Sequence, residues 1–210
     1  MTTAIEVFDG SLVDDTAPLV LRYLHGGTRT LAVGVWTAQA VLGDAGMLDR
    51  CVGATLDVGC GPGRLTVALA RRGLPALGVD IAPGALRLAR ARGALVLPRS
   101  VFGVLPGHGR WDTVLLADGN IGIGGDPVGL LVRVGELLGP GGRVVVELDP
   151  PGSRHGALRV RIEHGDRCSD WFGWAHAAAE HVHRLAAAAS LRVGEQWQEA
   201  GRWFAVLDRG

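Results

Sequence analysis

The chain has 210 residues, enough for one well-cored domain and too few for two of ordinary size. Its 21 basic residues, all Arg, balance 21 Asp plus Glu, so no net field exists to recruit nucleic acid or an anionic membrane. The three cysteines, Cys51, Cys60 and Cys168, are spaced for neither a disulfide framework nor a zinc site, which fits a reducing cytoplasm and predicts no bound metal. The N-terminus has no basic region followed by an apolar core, and no run nears the roughly 18 apolar residues of a membrane span. A soluble, unprocessed cytoplasmic protein is expected.

In chain order, residues 1–50 are expected to form a helical cap. Residues 12–50 read as one or two helices packed over the edge of a pocket, with "TLAVGVWTAQAVL" the more apolar. Residues 51–150 are expected to form the cofactor-binding core: from Ala54 to Asp149 short β-branched or apolar runs alternate with helix-period segments, the pattern of a parallel sheet covered by helices. Strands are predicted at 54–59, 76–80, 94–98, 112–118 and 143–149, and helices near 63–72, 83–92 and 127–138. The last helix is well signalled, because Asp126 can cap it, Pro127 suits its first turn and "GPGG" ends it. The segment "RSVFGVLPGHGRW" is too rich in Gly and Pro for a helix. Residues 151–210 are expected to supply an acceptor-side segment, an Ala-dominated helix at "AHAAAEHVHRLAAAA", and a closing hairpin of "LRVGEQWQ" and "RWFAVLDR".

The informative stretch is "LDVGCGPGR". Gly59, Gly61 and Gly63 follow a strand and open a helix, so a ligand can lie against backbone there without meeting a Cβ. Asp80 ends the next strand, where an acidic side chain can accept hydrogen bonds from ribose hydroxyls. An adenosine-containing cofactor is implied. The nicotinamide fingerprint G-x-G-x-x-G is not met, because the third glycine falls one residue early and Arg64 stands in its place. Asp57, two residues before the first glycine, would repel a pyrophosphate and suits a cationic ligand. S-adenosylmethionine answers this pattern: an adenosine for Asp80, an ammonium for Asp57, and a carboxylate for the N–H groups near Gly61 and Gly63.

"LDVGCGPGR", followed by "GVD" and "RWDTVLLADG", resembles the class I S-adenosylmethionine-dependent methyltransferases over roughly residues 54–149. The resemblance implies a Rossmann-like, doubly wound, seven-stranded, mostly parallel α/β sheet with an antiparallel C-terminal strand. It also implies that Asp57, Gly59, Gly61 and Gly63 surround the methionine end, with Cys60 a small filler in the same loop. Asp80 would take the ribose, Ile81 the adenine face, and Ser100, Val101 and Phe102 the adenine edge, where many members carry an acidic residue instead. S-adenosylhomocysteine would be the product.

On the acceptor side, "ADGNIGIGGDP" follows the fourth strand of the core, and ligands of open α/β sheets bind beyond strand C-termini. Asp118 and Asn120 are candidates there, against the alternative that they only shape a glycine-rich turn. "DPPG" at Asp149 to Gly152 invites comparison with the Asp-Pro-Pro-Tyr motif of DNA amino-methyltransferases, but it lacks the aromatic and follows the wrong strand, so a proline turn is the better reading. His155, His164, Trp171, Trp174, His176, His181 and His183 concentrate in a plausible cover for a half-buried organic acceptor. On a helix, His176, Glu180 and His183 would share one face, as a metal-ligand stripe or as a general base, His176, with its orienting carboxylate; a solvated face is the commoner reading of such a stripe. Tyr23, Arg29 and Trp36 are weaker candidates of the same kind. The reading is methyl transfer to a small-molecule acceptor. An NAD(P)-dependent reductase and a non-catalytic S-adenosylmethionine-binding protein are its alternatives, and the Trp residues suit equally a homodimer surface or a pocket lid.

Overall fold

In the computed structural model, which describes residues 2–14 and 16–209, the elements run α1 (Ala4–Ser11), β1 (Leu19–Tyr23), β2 (Thr28–Leu31), α2 (Val33–Thr37), α3 (Asp44–Asp49) and β3 (Thr55–Val58). They continue with α4 (Arg64–Arg71), β4 (Ala76–Asp80), α5 (Pro83–Ala91), β5 (Val96–Pro98), β6 (Trp111–Leu116), a kinked 3-10 segment (Asn120–Gly125), α6 (Pro127–Leu137) and β7 (Leu138–Leu148). The chain closes with β8 (Gly156–His164), β9 (Arg167–Cys168), β10 (Phe172–His176), a 3-10 turn (Ala179–His181), α7 (Val182–Ala188), β11 (Leu191–Glu199) and β12 (Arg202–Arg209).

The main sheet has seven strands in the order β11-β12-β7-β6-β3-β4-β5. β7, β6, β3, β4 and β5 are parallel, and β12 runs antiparallel to both β7 and β11. The order reverses between β3 and β6, which opens a crevice beyond their carboxyl ends. Side-chain alternation along the central strands feeds two cores. Val114 and Leu116 pack with Leu130, Leu131 and Leu185 of α6 and α7, while Leu115 packs with Met47, Leu69 and Phe204 on the opposite face. The predicted strands and helices of residues 54–149 and the closing hairpin are present to within a few residues, and residues 99–110 form turns.

Two expectations are corrected. The N-terminal region is helical at α1, α2 and α3, but residues 12–50 also contain the hairpin β1–β2, paired Leu19↔Leu31 through Arg22↔Thr28. Leu19, Leu21 and Tyr23 are buried and alternate with half-exposed Val20 and Arg22, a period of two that suits a strand with one covered face. Gly26 and Gly27, at φ +99° and +89°, turn the chain between them. The Ala-rich helix begins only at Val182, since Phe172–His176 pairs with β8 and Ala178 bridges to Asp149. Ladder hydrogen bonds and burial outweigh the helix propensity of a few alanines, so the shared helical face of His176, Glu180 and His183 does not form.

β10, β8, β1 and β2 make a second, antiparallel sheet, with β9 pairing β8. Its apolar face, Leu19, Leu21, Val160 and Ile162, packs with Val7 and Phe8 of α1. The capping box of Thr3 and Glu6 starts α1, and Asp9 accepts the N–H groups of Gly84 (2.7 Å) and Ala85 (3.0 Å), capping α5 from outside. A Cβ at Gly84 would sit 2.5 Å from the Asp9 carboxylate, so glycine is required for that closeness.

The second sheet reaches the main sheet at the 3-10 segment. A Cβ at Gly122 would lie 2.6 Å from the Trp174 indole nitrogen and would also strike the Ala175 carbonyl. Replacing Gly122 by Val should therefore force β10 off the segment and destabilise the protein by about 1–3 kcal/mol. Denaturant unfolding checks this, and an unchanged midpoint would mean that the two layers do not meet there.

Candidate functional site

A cavity of about 840 Å³ lies where the two sheets meet, beyond the carboxyl ends of β3, β4, β6 and β7. Its walls come from the glycine loop, Asp80 and Ile81, the turn after β6, the end of β7, α1, β1, β2 and β10.

The glycine loop is positioned by backbone geometry that a side chain would obstruct. Gly59, Gly61 and Gly63 have φ of +70°, +51° and +82°. A Cβ on Gly59 would meet the Asn120 amide at 2.7 Å, and one on Gly63 would meet Ala89 at 2.8 Å. The Gly61 N–H donates to Asp80 Oδ2 (2.9 Å) and the Gly63 N–H to the Cys60 carbonyl (2.9 Å). These two donors are engaged, one by the end of β4 and one within the loop, which corrects the expectation that they stand free for a ligand carboxylate. Asp80 also accepts the Ala82 N–H through Oδ1 (2.9 Å), so its carboxylate is fixed in orientation with lone pairs left over.

Three carboxylates converge on this loop. Asp57 is 2% exposed and accepts the Thr66 hydroxyl at 2.6 Å. Burial raises its pKa to about 6, with Asp118 and Asp80 adding repulsion that Thr66 and Arg64 only partly offset. Burial likewise raises Asp80 and Asp118 above the ordinary carboxylate range. Asp118, at φ +53°, accepts Arg64 Nη2 (2.6 Å) and Arg202 Nη2 (3.3 Å), and its N–H donates to Glu147 (2.6 Å). Asn120 donates its amide to the carbonyls of Val58 and Gly59, both at 2.9 Å, pinning the turn after β6 to the glycine loop.

The remaining sequence candidates divide between cavity and elsewhere. Ile81 is 54% exposed and lines the cavity with Ser100 and Val101, whereas Phe102 lies outside that lining, against Gly124. The Cys60 side chain packs among Leu86, Ala89 and Val96, and burial pushes its thiol far up, away from nucleophilic chemistry. His176 lines the cavity from the end of β10, together with Trp174, Arg29 and Trp36. Tyr23 reaches His176 from β1, with its hydroxyl 2.9 Å from Nε2. His155 and His181 stack on each other at 4.0 Å outside the cavity lining, and His164 holds the Asp14 carbonyl at 3.1 Å. Trp171 carries Arg161 over its ring. No cluster of three or more metal-ligating side chains occurs among the described residues, and no helix there is long and apolar enough to cross a membrane.

Sequence reasoning passed over Asp149. Its carboxylate is 3.0 Å from His176 Nδ1, accepts the Ala177 N–H (3.1 Å) and pairs with Arg29 (3.3 Å). The available signal was "DPP" at the carboxyl end of a predicted strand. The structure does place a turn there, with the Ser153 N–H bonded to the Pro150 carbonyl.

Residues 55–142 match a family model described as a methyltransferase domain. The fold is similar to that of an S-adenosylmethionine-dependent methyltransferase from Bacteroides fragilis in complex with S-adenosyl-L-homocysteine. The two are 20% identical, with a TM-score of 0.79, over 97% of this chain and 93% of that one. It is also similar to 1,6-didemethyltoxoflavin-N1-methyltransferase from Burkholderia thailandensis (18% identity, TM-score 0.61, 83% of this chain and 80% of that one). A third likeness is to CalS10, an amino pentose methyltransferase from Micromonospora echinaspora (21% identity, TM-score 0.57, 80% and 90%). No curated protein matches the sequence. These likenesses show the fold: a Rossmann-like, mostly parallel seven-stranded sheet shared with solved methyltransferase structures, with the match to the methyltransferase-domain model confined to residues 55–142.

Proposed function

We propose that the chain is an enzyme that methylates a small organic acceptor with S-adenosylmethionine and releases S-adenosylhomocysteine. The observation that carries this reading is the continuity of one cavity from the glycine loop and Asp80 to the aromatic underside of the second sheet. Cofactor and acceptor then share one compartment, whose volume lies within the roughly 300–1,000 Å³ of small-molecule sites.

In this reading the backbone of Gly59, Cys60, Gly61 and Gly63 forms the wall against the methionine part. Asp57 and Asp118 supply negative potential for the ammonium and sulfonium, Asp80 binds the ribose, and Ile81, Ser100 and Val101 border the adenine. Asp118 and Asn120 act by holding the loop and its charge, since ion pairs and backbone carbonyls already engage them. The acceptor lies among Phe8, Trp36, Phe172 and Trp174, where an apolar ring is desolvated and water is excluded from the sulfonium. Methyl transfer is a displacement at carbon, so in-line placement of the two reactants supplies much of the acceleration. Proteins of similar fold act on small substrates as their names state, among them a didemethyltoxoflavin and an amino pentose.

Calorimetric titration should show binding of S-adenosylhomocysteine and S-adenosylmethionine and none of NADH or NADPH; binding of a nicotinamide cofactor alone would overturn the reading. Asp80→Ala should weaken cofactor binding by about 1–3 kcal/mol, because it removes charge-assisted hydrogen bonds. Unchanged affinity would remove Asp80 from the ribose.

Asp57→Asn should separate stability from binding. With its pKa raised to about 6, native Asp57 holds a proton more tightly than the unfolded chain does. Stability therefore falls as pH rises from about 4 through about 6, and stays reduced above that window. Asn carries no charge to bury, so at pH 7.5 the variant should be more stable by about 1–3 kcal/mol while binding S-adenosylmethionine more weakly. Thermal melts at pH 5 and 7.5, with titration of the cofactor, check both signs; a variant less stable at pH 7.5 would contradict the burial argument.

A further inference from the structure

Asp149 sits where the chain leaves β7 and where it later returns. Its N–H donates to the Ala177 carbonyl (2.9 Å), its carbonyl accepts the Ala179 N–H (2.9 Å), and its Oδ2 accepts the Ala177 N–H (3.1 Å). The same Oδ2 faces His176 Nδ1 at 3.0 Å, and His176 Nε2 faces the Tyr23 hydroxyl at 2.9 Å. Three elements from two sheets thus meet in one line, from β7 through β10 to β1, in which His176 is 6% and Tyr23 7% exposed.

The proton positions along this line follow from chemistry. Burial pushes Asp149 up, but the hydrogen bonds from His176 and the Ala177 N–H, with Arg29 beside them, outweigh it and hold the carboxyl below its usual range. An ionised carboxylate only accepts, so Nδ1 carries the hydrogen, and in the neutral tautomer that this fixes Nε2 presents a lone pair. His176 and Asp149 both line the cavity, on the side of the aromatic residues. The charged or titratable groups around the ring are Asp149 with Arg29 on it, and Tyr23 with Arg154 over its ring at 4.7 Å. A lone pair backed by a carboxylate whose side chain is 12% exposed is the arrangement of a base with its orienting group. A neutral amine attacks a methyl sulfonium through its own lone pair, whereas a hydroxyl gains most from losing its proton as it attacks.

Resting on the methyltransferase reading above, we infer that His176 is the general base for an acceptor hydroxyl on an aromatic ring, so that the acceptor is a phenol and the product an aryl methyl ether. Asp149 and Tyr23 are positioning residues. The Tyr23 hydroxyl yields Nε2 to the acceptor; the acceptor O–H breaks and its proton goes to Nε2. The oxygen's electron pair forms the O–CH3 bond, the S–CH3 bond breaks, and its pair stays on sulfur as S-adenosylhomocysteine. The imidazolium, balanced by Asp149, returns its proton to solvent after the product leaves.

The test uses S-adenosylmethionine labelled in the methyl group with phenol, catechol, 4-nitrophenol and aniline as probes, alongside titration with S-adenosylhomocysteine. The wild type should methylate the hydroxyl probes. His176→Gln should lower turnover of phenol and catechol by about 100-fold or more, lower 4-nitrophenol far less because that probe ionises near neutral pH unaided, and leave S-adenosylhomocysteine affinity unchanged. Asp149→Asn should show the same selectivity for weakly acidic probes, and it carries the test if His176→Gln fails to fold. Equal losses for all probes, methylation of aniline alone, or no hydroxyl methylation by a wild type that binds S-adenosylhomocysteine would overturn the assignment. A wild type that binds neither S-adenosylhomocysteine nor S-adenosylmethionine would instead overturn the parent reading.

Discussion

Two guanidinium groups set among carboxylates, one buried and one half-buried, hold the site together. Arg64, with its side chain 3% exposed, bridges Asp44 and Asp118, and Arg202 reaches Asp44, Asp118 and Glu147. These contacts join α3, α4, the end of β6, β7 and β12 at one point behind the glycine loop. Burying such ions is costly, and removing one partner would strand the others uncompensated, so the network specifies a geometry more than it adds stability. With Asp57 beside it, carboxylates outnumber guanidinium groups there. The potential left at the cavity floor is negative, the sign that a sulfonium and an ammonium require and a pyrophosphate would not tolerate.

Close backbone approach is the second constraint, and it explains where the glycines fall. Gly59 makes room for Asn120, whose amide ties the loop after β3 to the turn after β6 across the switch point of the sheet. Gly122 makes room for β10, bringing the second sheet down onto that turn. The result is a compartment with a polar, charged floor and an aromatic cover, which come from different parts of the chain.

Much of this was legible from local patterns. Asp57, the three loop glycines and Asp80 lie within one β-α-β unit, where spacing along the chain sets position in space, and all of them line or shape the cavity. The hairpin of β1 and β2 also had its signal in the alternation of "LVLRY" and the Gly-Gly turn. The apolar run that follows it was more conspicuous and suggested helix throughout. His176 was singled out for the wrong local reason: alanines around it suggested a helix, while pairing of Phe172–His176 with β8 made it a strand end. Asp149 was dismissed as the start of a proline turn, because nothing within a few residues of it reveals a partner 27 positions away.

The sequence by itself determined the parallel sheet, its closing hairpin and the glycine loop, since periodicity, glycine conformation and a charge at fixed spacing are properties of contiguous residues. Only the tertiary structure decided the rest. The union of Tyr23, Asp149 and His176, the ion network behind the loop, and the second sheet built from residues before and after the core all depend on contacts between distant segments. Those contacts are selected by burial and hydrogen-bond satisfaction over the whole fold, and no local pattern encodes them.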